Sequence, residues 1–344
     1  MEKDQKPRVL LEEYGIPNMA EYSYEPWSLQ KFKETFRIEI VKESKDEREL
    51  EFDLIGCHSS LANALRRILL SEVPTMAIEK VFILNNTSLI QDEVLAHRLG
   101  LIPLKADPRL FEYPSTNEKD ENEVSDQDTL RYEIKVTCSW NPQPPKDSRR
   151  PNDIYRNNNV YSRDIKWIPI GRQAELYPRG TEQLGVLEGD ILVCKMRPGQ
   201  EIHAFMHAVK GIGRDHAKFS PVATASYRLL PDIQIIKTVR GEMAQRLKSC
   251  FSPGVIEIVE RQKGDPNSRE AVVKNARYDS CSRNVFRHDD LKDCVQLSRI
   301  TNHFIFTIES VGALPSNILF TEAVKTLKSK CKTFIEELEN PEIF

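Results

Sequence analysis

Three short stretches set chemically able residues close together. Asp92, Glu93 and His97 form a D-E-x-x-x-H string, the donor types of a metal-assisted hydrolase. His203 and His207 stand four apart, and Gly211-Ile212-Gly213 has the look of a phosphate loop. Each has a plainer reading. Ser88 and Gln91 make a capping box, Asp92 and Glu93 fall in a first helical turn, His97 and Arg98 in a last one, and Gly100 at the stop. Every charge there complements the helix dipole without an ion. The two histidines fall in a strand pattern, where four residues advance the chain about 13 Å, too far to share one metal. The glycine pair lacks a third glycine at fingerprint spacing and no GK[ST] follows, so a tight turn is expected. The seven cysteines are scattered and none has C-x2-C spacing, so neither a zinc nor an iron–sulfur site is indicated. With no G-x-S-x-G and no H-E-x-x-H, nothing assembles a nucleophile, a base and an oxyanion hole. The expectation is no catalytic residue, no metal and no cofactor.

The elements around these stretches are more telling. Ser59 to Pro74 reads as a helix, opened by a serine pair able to take up an orphan amide and closed by Pro74. Leu61, Leu65, Ile68 and Leu69 form its apolar face. Arg66 and Arg67, with Asn63, form another face and read as unburied. Near the other end, a helix is expected from about Asn317 to Glu339, about 33 Å long. Phe320, Val324, Leu327, Cys331, Phe334 and Leu338 step along it by four and three alternately, a heptad seam. Such a seam packs on the chain's own core or on a partner.

The 344 residues exceed one ordinary domain and can bury a substantial core. A net charge of −3 argues against a standalone electrostatic nucleic-acid binder, although 49 basic residues leave room for a local patch. Scattered, odd-numbered cysteines suit a reducing compartment. No run of about 18 apolar residues reads as a membrane span, and no signal peptide or basic address cluster is legible. In order, residues 1–35 read as a polar arm with few packed contacts, and Phe36–Val41 as a half-buried strand. Lys42–Glu49 turns the chain into a second strand carrying Leu50, Phe52 and Leu54. Further strands are expected at Ala77–Leu84, Leu130–Thr137, Val160–Ile170, Ile191–Met196 and Glu201–Val209, and at Val222–Leu230, stopped by Pro231. Residues 112–128 are acidic and nearly free of large apolar groups, the composition of a disordered loop. Gly241–Cys250 reads as a helix, and Val255–Glu260 can pair with Glu270–Lys274.

The opening helix also carries a resemblance. Leu61–Arg67 reads LANALRR, followed by ILLSEVPTMAIEKV, and is similar to the α motif of RNA polymerase α-type subunits. Asn85–Ser88, Asp92–Leu104, Lys210–Gly213, Asp215–Ala223 and Glu309–Gly312 match in register, so the likeness runs from about residue 36 to the C-terminus. The chain resembles most the larger α-like subunit shared by RNA polymerases I and III. Missing cysteine pairs fit that branch, since the polymerase II counterpart and some archaeal D subunits carry a cysteine cluster.

The resemblance implies an α+β fold: an α-type dimerisation domain, residues 1–76 with 220–344, interrupted by an inserted α/β domain, residues 77–219, that holds the acidic loop 112–128. It implies a non-catalytic assembly subunit that pairs with a smaller α-like subunit and docks the second-largest subunit and small zinc-binding subunits. DNA would be met only through the whole complex, in the nucleus including the nucleolus, and no membrane is involved. The implied interface residues are Leu61, Leu65, Arg66, Arg67, Ile68 and Leu69, with Phe320, Val324, Leu327, Cys331, Phe334 and Leu338. Two other readings stay open: a standalone metal-dependent hydrolase using Asp92, Glu93 and His97, and an independent nucleic-acid binder using Arg66 and Arg67.

Overall fold

A computed structural model describes residues 7–17, 27–114, 124–145, 150–261 and 268–339. In chain order its main elements begin with β1 (Arg8–Leu11), α1 (Leu29–Thr35), β2 (Arg37–Glu43), β3 (Glu49–Ile55), α2 (Ser59–Ser71), β4 (Pro74–Asn86) and α3 (Asp92–Gly100). Then come β5 (Thr129–Thr137), β6 (Ile165–Ile168), β7 (Glu201–Ile212), β8 (Val222–Ile235) and α4 (Gly241–Ser249). The last are β9 (Ile256–Glu260), β10 (Arg269–Val273), β11 (Val295–Ser310) and α5 (Ser316–Glu339). The class is α+β, as expected, and the chain divides into two compact units, each discontinuous in sequence.

The first unit takes in Met1–Lys42, Glu51–Asn63 and Ser226–Thr307. Its sheet runs β1-β11-β3-β2, with β8 also paired to β11. Alternation along β3 and β11 points aromatic rings inward. Phe52 and Phe306 stack at 5.2 Å, and Tyr227 meets Phe304 edge-on at 5.5 Å. A second cluster gathers Ala244 and Leu247 of α4, Ile256 and Ala271 of the β9–β10 hairpin, and Leu297. One buried charge group stands out. Arg277 donates to Asp53 at 2.7 Å and to Glu51 at 2.6 Å, and the His303 ring nitrogen Nε2 lies 2.9 Å from Asp53. Burial works against the Arg277 charge, but these hydrogen bonds hold its pKa above the usual guanidinium value.

The second unit takes in Glu43–Leu50, Ala64–Ala225 and Ile308–Phe344. Its main sheet runs β4-β7-β5-β6, antiparallel throughout. One face is covered: Ile202, Ala204, Met206 and Ala208 of β7 and Leu130, Tyr132 and Ile134 of β5 are fully buried. Leu95 and Leu99 of α3 belong to the same core. The Tyr132 hydroxyl finds its partner in the carbonyl of Leu184 at 2.6 Å. Pro74 stands opposite Ile212 in the β4–β7 register, so the chain enters and leaves this sheet side by side.

Several local expectations need correction. The arm is not all loosely held: Arg8–Leu11 pairs with Leu297–Ile300, and Val9 and Leu11 are buried. The remaining arm residues 1–6 and 18–26, most of the acidic loop (115–123), and 262–267 of the β9–β10 connection lie outside the described residues. Strand β2 is exposed on both faces rather than half buried, because it is the edge of its sheet. Val160–Ile170 is broken by a 3-10 turn at Ser162–Asp164. Pro231 does not stop β8, which runs on to Ile235. The helix after Asn86 begins at Asp92, without a Ser88–Gln91 capping box. The Ser88 hydroxyl instead donates to Asn86 Oδ1 at 2.7 Å and accepts from the Ile90 amide at 3.2 Å, closing a separate turn.

Gly211 is a strand residue, and the expected tight turn follows it at Gly213–Asp215, where the Asp215 amide donates to the Ile212 carbonyl at 3.1 Å. A Cβ on Gly211 would stand 2.7 Å from the Phe219 ring, and one on Gly213 would run into the Leu70 carbonyl oxygen. The Arg214 amide then donates to the Ser71 carbonyl at 2.8 Å. The glycines of this motif thus serve close approach, letting the end of β7 seal the C-terminus of α2.

Candidate assembly interface

Helix α2 is opened by His58 rather than by its serines. His58 Nδ1 accepts the Ser60 amide at 3.2 Å, and the Leu61 amide donates to the His58 carbonyl at 3.1 Å. At its other end, Glu72 and Val73 both donate to the Ile68 carbonyl before Pro74 starts β4. Leu65, Ile68 and Leu69 are buried within this chain, so its own core already covers most of the expected partner face. Leu61 is half-buried, Arg66 is half-buried and Arg67 is exposed.

Helix α5 is different. Its first turn is anchored: Ser316 is buried, its amide donates to the Glu47 carbonyl at 2.9 Å, and its hydroxyl donates to the Arg48 carbonyl. Before it, Gly312 adopts a φ of +115°, and a Cβ there would meet Leu187 at 2.5 Å. Within α5 only Ser316, Leu319 and Ala323 are buried. Phe320 and Leu327 are half-buried, and Val324 and Cys331 are exposed. From Lys328 to Glu339 every residue is exposed, including Phe334 at 63% and Leu338 at 61%. The heptad seam therefore emerges from the chain and runs on bare. Twelve helical residues span about 18 Å. A ridge of that length with a Phe, an Ile and a Leu on it is suited to cover by another helix.

A second apolar stretch escaped the sequence reading. Ile38, Ile40 and Val41 of β2 are all exposed on a strand with one unpaired edge. Alternation along the strand is legible from sequence, but its place at the sheet edge is not.

The chemical candidates disperse. Asp92 Oδ1 accepts from Asn86 Nδ2 at 2.7 Å, Glu93 is exposed, and the His97 ring faces His216 at 6.2 Å. His203 Nε2 lies 3.0 Å from Glu133, whereas His207 packs edge-on against Phe82. Among the described residues no group of three or more His, Cys, Asp or Glu side chains is placed to hold a metal. The hydrolase alternative finds no support in this arrangement. No described helix is long and apolar enough to cross a membrane. Cys57, next to the start of α2, is buried, and burial pushes its thiol up to about 11, so it stays protonated and unreactive.

A packed core that leaves two apolar stretches uncovered is what a subunit interface requires. Comparison with known proteins agrees. The family model described as the RNA polymerase Rpb3/Rpb11 dimerisation domain matches residues 51–331. The chain is 49% identical to DNA-directed RNA polymerases I and III subunit RPAC1 of Homo sapiens, over 98% of this chain and 96% of that protein. It is 46% identical to the subunit of the same name in Saccharomyces cerevisiae, over 92% of each chain. Identity falls to 30% with DNA-directed RNA polymerase II subunit rpb3 of Dictyostelium discoideum, over 85% of this chain and 91% of that protein. Matched by the family model over residues 51–331, and by these relatives over 85–98% of its length, the chain belongs to the RNA polymerase Rpb3/Rpb11 dimerisation-domain family.

Proposed function

We propose that this chain is the non-catalytic α-like subunit shared by nuclear RNA polymerases I and III. It nucleates assembly by pairing with a smaller α-like subunit, then docks the second-largest subunit and small zinc-binding subunits. Its contribution to synthesis of ribosomal RNA precursor, 5S RNA and transfer RNA is through the whole enzyme, in the nucleus and nucleolus. The single observation that carries this reading is the bare apolar seam of α5. The higher identity to the subunits named for polymerases I and III than to the one named for polymerase II favours that branch.

The proposed partner-facing set is narrower than the sequence implied. It keeps Phe320, Val324, Leu327, Cys331, Phe334 and Leu338, and adds Ile38, Ile40 and Val41. Arg66 and Arg67 are assigned to the second-largest subunit, since a guanidinium fork suits paired bonds to carboxylates and carbonyls. The proposed division keeps residues 1–76 with 220–344 as the dimerisation domain around the insert 77–219. The side-by-side entry and exit at Pro74 and Ile212 support an insertion there.

The test is co-expression with the smaller α-like subunit. A one-to-one complex is expected, and Phe334→Asp with Leu338→Asp should abolish it while leaving the fold of the chain intact. Arg66→Ala with Arg67→Ala should leave that complex within about ±1 kcal/mol but weaken capture of the second-largest subunit by ~2–5 kcal/mol. A chain that stays monomeric beside the smaller subunit, or a seam variant that pairs normally, overturns the reading.

A further inference from the structure

The sheet β4-β7-β5-β6 has a second face, opposite the buried one, that the assembly reading does not use. Register places its outward residues in rows across the strands. One row runs Lys80, His207, Arg131, Ile168; the next runs Phe82, Phe205, Glu133, Lys166; His203 and Lys135 begin a third. Neighbouring strands lie about 4.8 Å apart and alternate residues about 6.8 Å apart, so these side chains form a close grid. Phe82 is 40% exposed, and Phe205, His203 and His207 are half-buried.

The contacts within the grid alternate rings and cations. The Arg131 guanidinium lies 4.6 Å over the Phe205 ring. The His207 ring meets Phe82 edge-on at 4.8 Å, and the His203 ring sits 5.5 Å from Phe205. Arg131 Nε has no hydrogen-bond partner among the described residues. The charges on the rows are unequal: Lys80, Arg131, Lys135 and Lys166 against Glu133 and the flanking Glu201. Glu133 is already engaged by His203. This local excess of positive charge lies on a chain whose net charge is −3.

Aromatic rings on two adjoining strands of an open four-stranded face, with cations beside them, are the combination that stacks unpaired bases and holds their phosphates. A duplex hides its bases and offers no ring to stack on. A peptide strand would seek an unpaired sheet edge, which this face is not. We propose that the outward face of this sheet binds single-stranded nucleic acid, with bases stacked on Phe205 and Phe82 and phosphates held by Arg131, Lys80, Lys135 and Lys166. The surface is distinct from the α2 arginines, and the assembly reading can stand or fall without it.

The test uses the full chain co-purified with its α-like partner, with labelled ten-residue oligouridine and oligothymidine as probes, read by fluorescence anisotropy. Heterodimer formation and melting are followed in parallel. Phe82→Ala with Phe205→Leu should weaken binding tenfold or more. Lys135→Gln with Lys166→Gln should weaken it and flatten its salt dependence. With four phosphate contacts, affinity for wild type should fall about 50-fold between 50 and 200 mM salt. Lys328→Gln with Lys332→Gln, on α5, is the control and should change nothing. Should the double aromatic variant misfold, Arg131→Gln and the lysine variant still decide the matter. Binding undetectable at high protein concentration, equal loss in the α5 control, or unchanged affinity in the sheet variants overturns the proposal. So does a face that captures a polypeptide and excludes the oligonucleotides.

Discussion

Lys330 of α5 reaches back to Glu72 at the end of α2, with Nζ 2.7 Å from Oε1 and 2.9 Å from Oε2. The ion pair joins two stretches 258 residues apart in sequence. Beyond it, from Cys331 to Glu339, every residue of α5 is exposed. Lys330 therefore marks where the chain's own hold on this helix ends.

The pair is partly solvated, with side-chain exposures of 55% and 27%, so its worth is that of a surface bridge. Lys330→Ala should cost no more than about 1 kcal/mol of stability. Its local effect should be larger than its global one. Hydrogen exchange across 328–339 is expected to quicken in the isolated chain, because the bare turns lose their last anchor. Exchange unchanged in that segment would show that the bridge does not steady the helix.

Arg277 presents the opposite case. It holds Asp53 and Glu51 together, and the Arg277 and Asp53 side chains are only 13% and 9% exposed. Arg277→Ala leaves the nearly buried Asp53 carboxylate, and the partly exposed Glu51, without their cation. A loss of about 3–5 kcal/mol is expected by chemical denaturation. Arg277→Lys should recover only part of it, since an ammonium cannot make both forked contacts. A loss below about 1 kcal/mol for the alanine variant would mean that water already reaches the site.

Cysteine alkylation separates the covered from the uncovered surface. Cys331 is exposed on the α5 seam, whereas Cys57 is buried with its thiol pushed up to about 11 by that burial. In the isolated chain a thiol reagent should label Cys331 quickly and Cys57 only after unfolding. Adding the smaller α-like subunit should protect Cys331. Peptide mapping by mass spectrometry reads both sites at once, and labelling of Cys331 at the same rate in the complex would place it away from the interface.

His207 gives the outward sheet face a pH signature. Burial, and then the nearby charges of Arg131 and Lys80, lower its pKa from the ordinary 6.5. The folded chain thus binds this proton less readily than the unfolded chain does. Its stability contribution is whole above pH 6.5 and declines as the pH falls below that value toward the folded-state pKa. Urea midpoints should drop between about pH 7.5 and pH 5.5, and His207→Gln should remove part of that drop. A pH profile identical in the variant would assign the change to other groups.

Much of the architecture was legible residue by residue. The spacing of Leu61, Leu65, Ile68 and Leu69 marked α2, and that of Phe320 to Leu338 marked α5, because a helix returns to one face every three or four residues. Pairing of β9 with β10 followed from two alternating runs around a short connection. The ordered blocks from LANALRR onward carried the family resemblance by themselves.

What periodicity cannot report is what covers an apolar face. Leu69 and Phe334 read alike in sequence, yet one is fully buried and the other is 63% exposed. The difference is made by segments far away in the chain, which close over α2 and stop short on α5. The same holds for Ile40, left open because β2 ends a sheet, and for His58, which caps α2 where the serines were expected to. Gly213 does open a turn, as its composition indicates, but spacing could not show that Leu70 presses its carbonyl where a side chain would stand. Local sequence sets backbone preference and the side on which a segment is apolar. Which of those sides finds cover inside the chain, and which is left for a partner, is decided only when distant strands and helices come together.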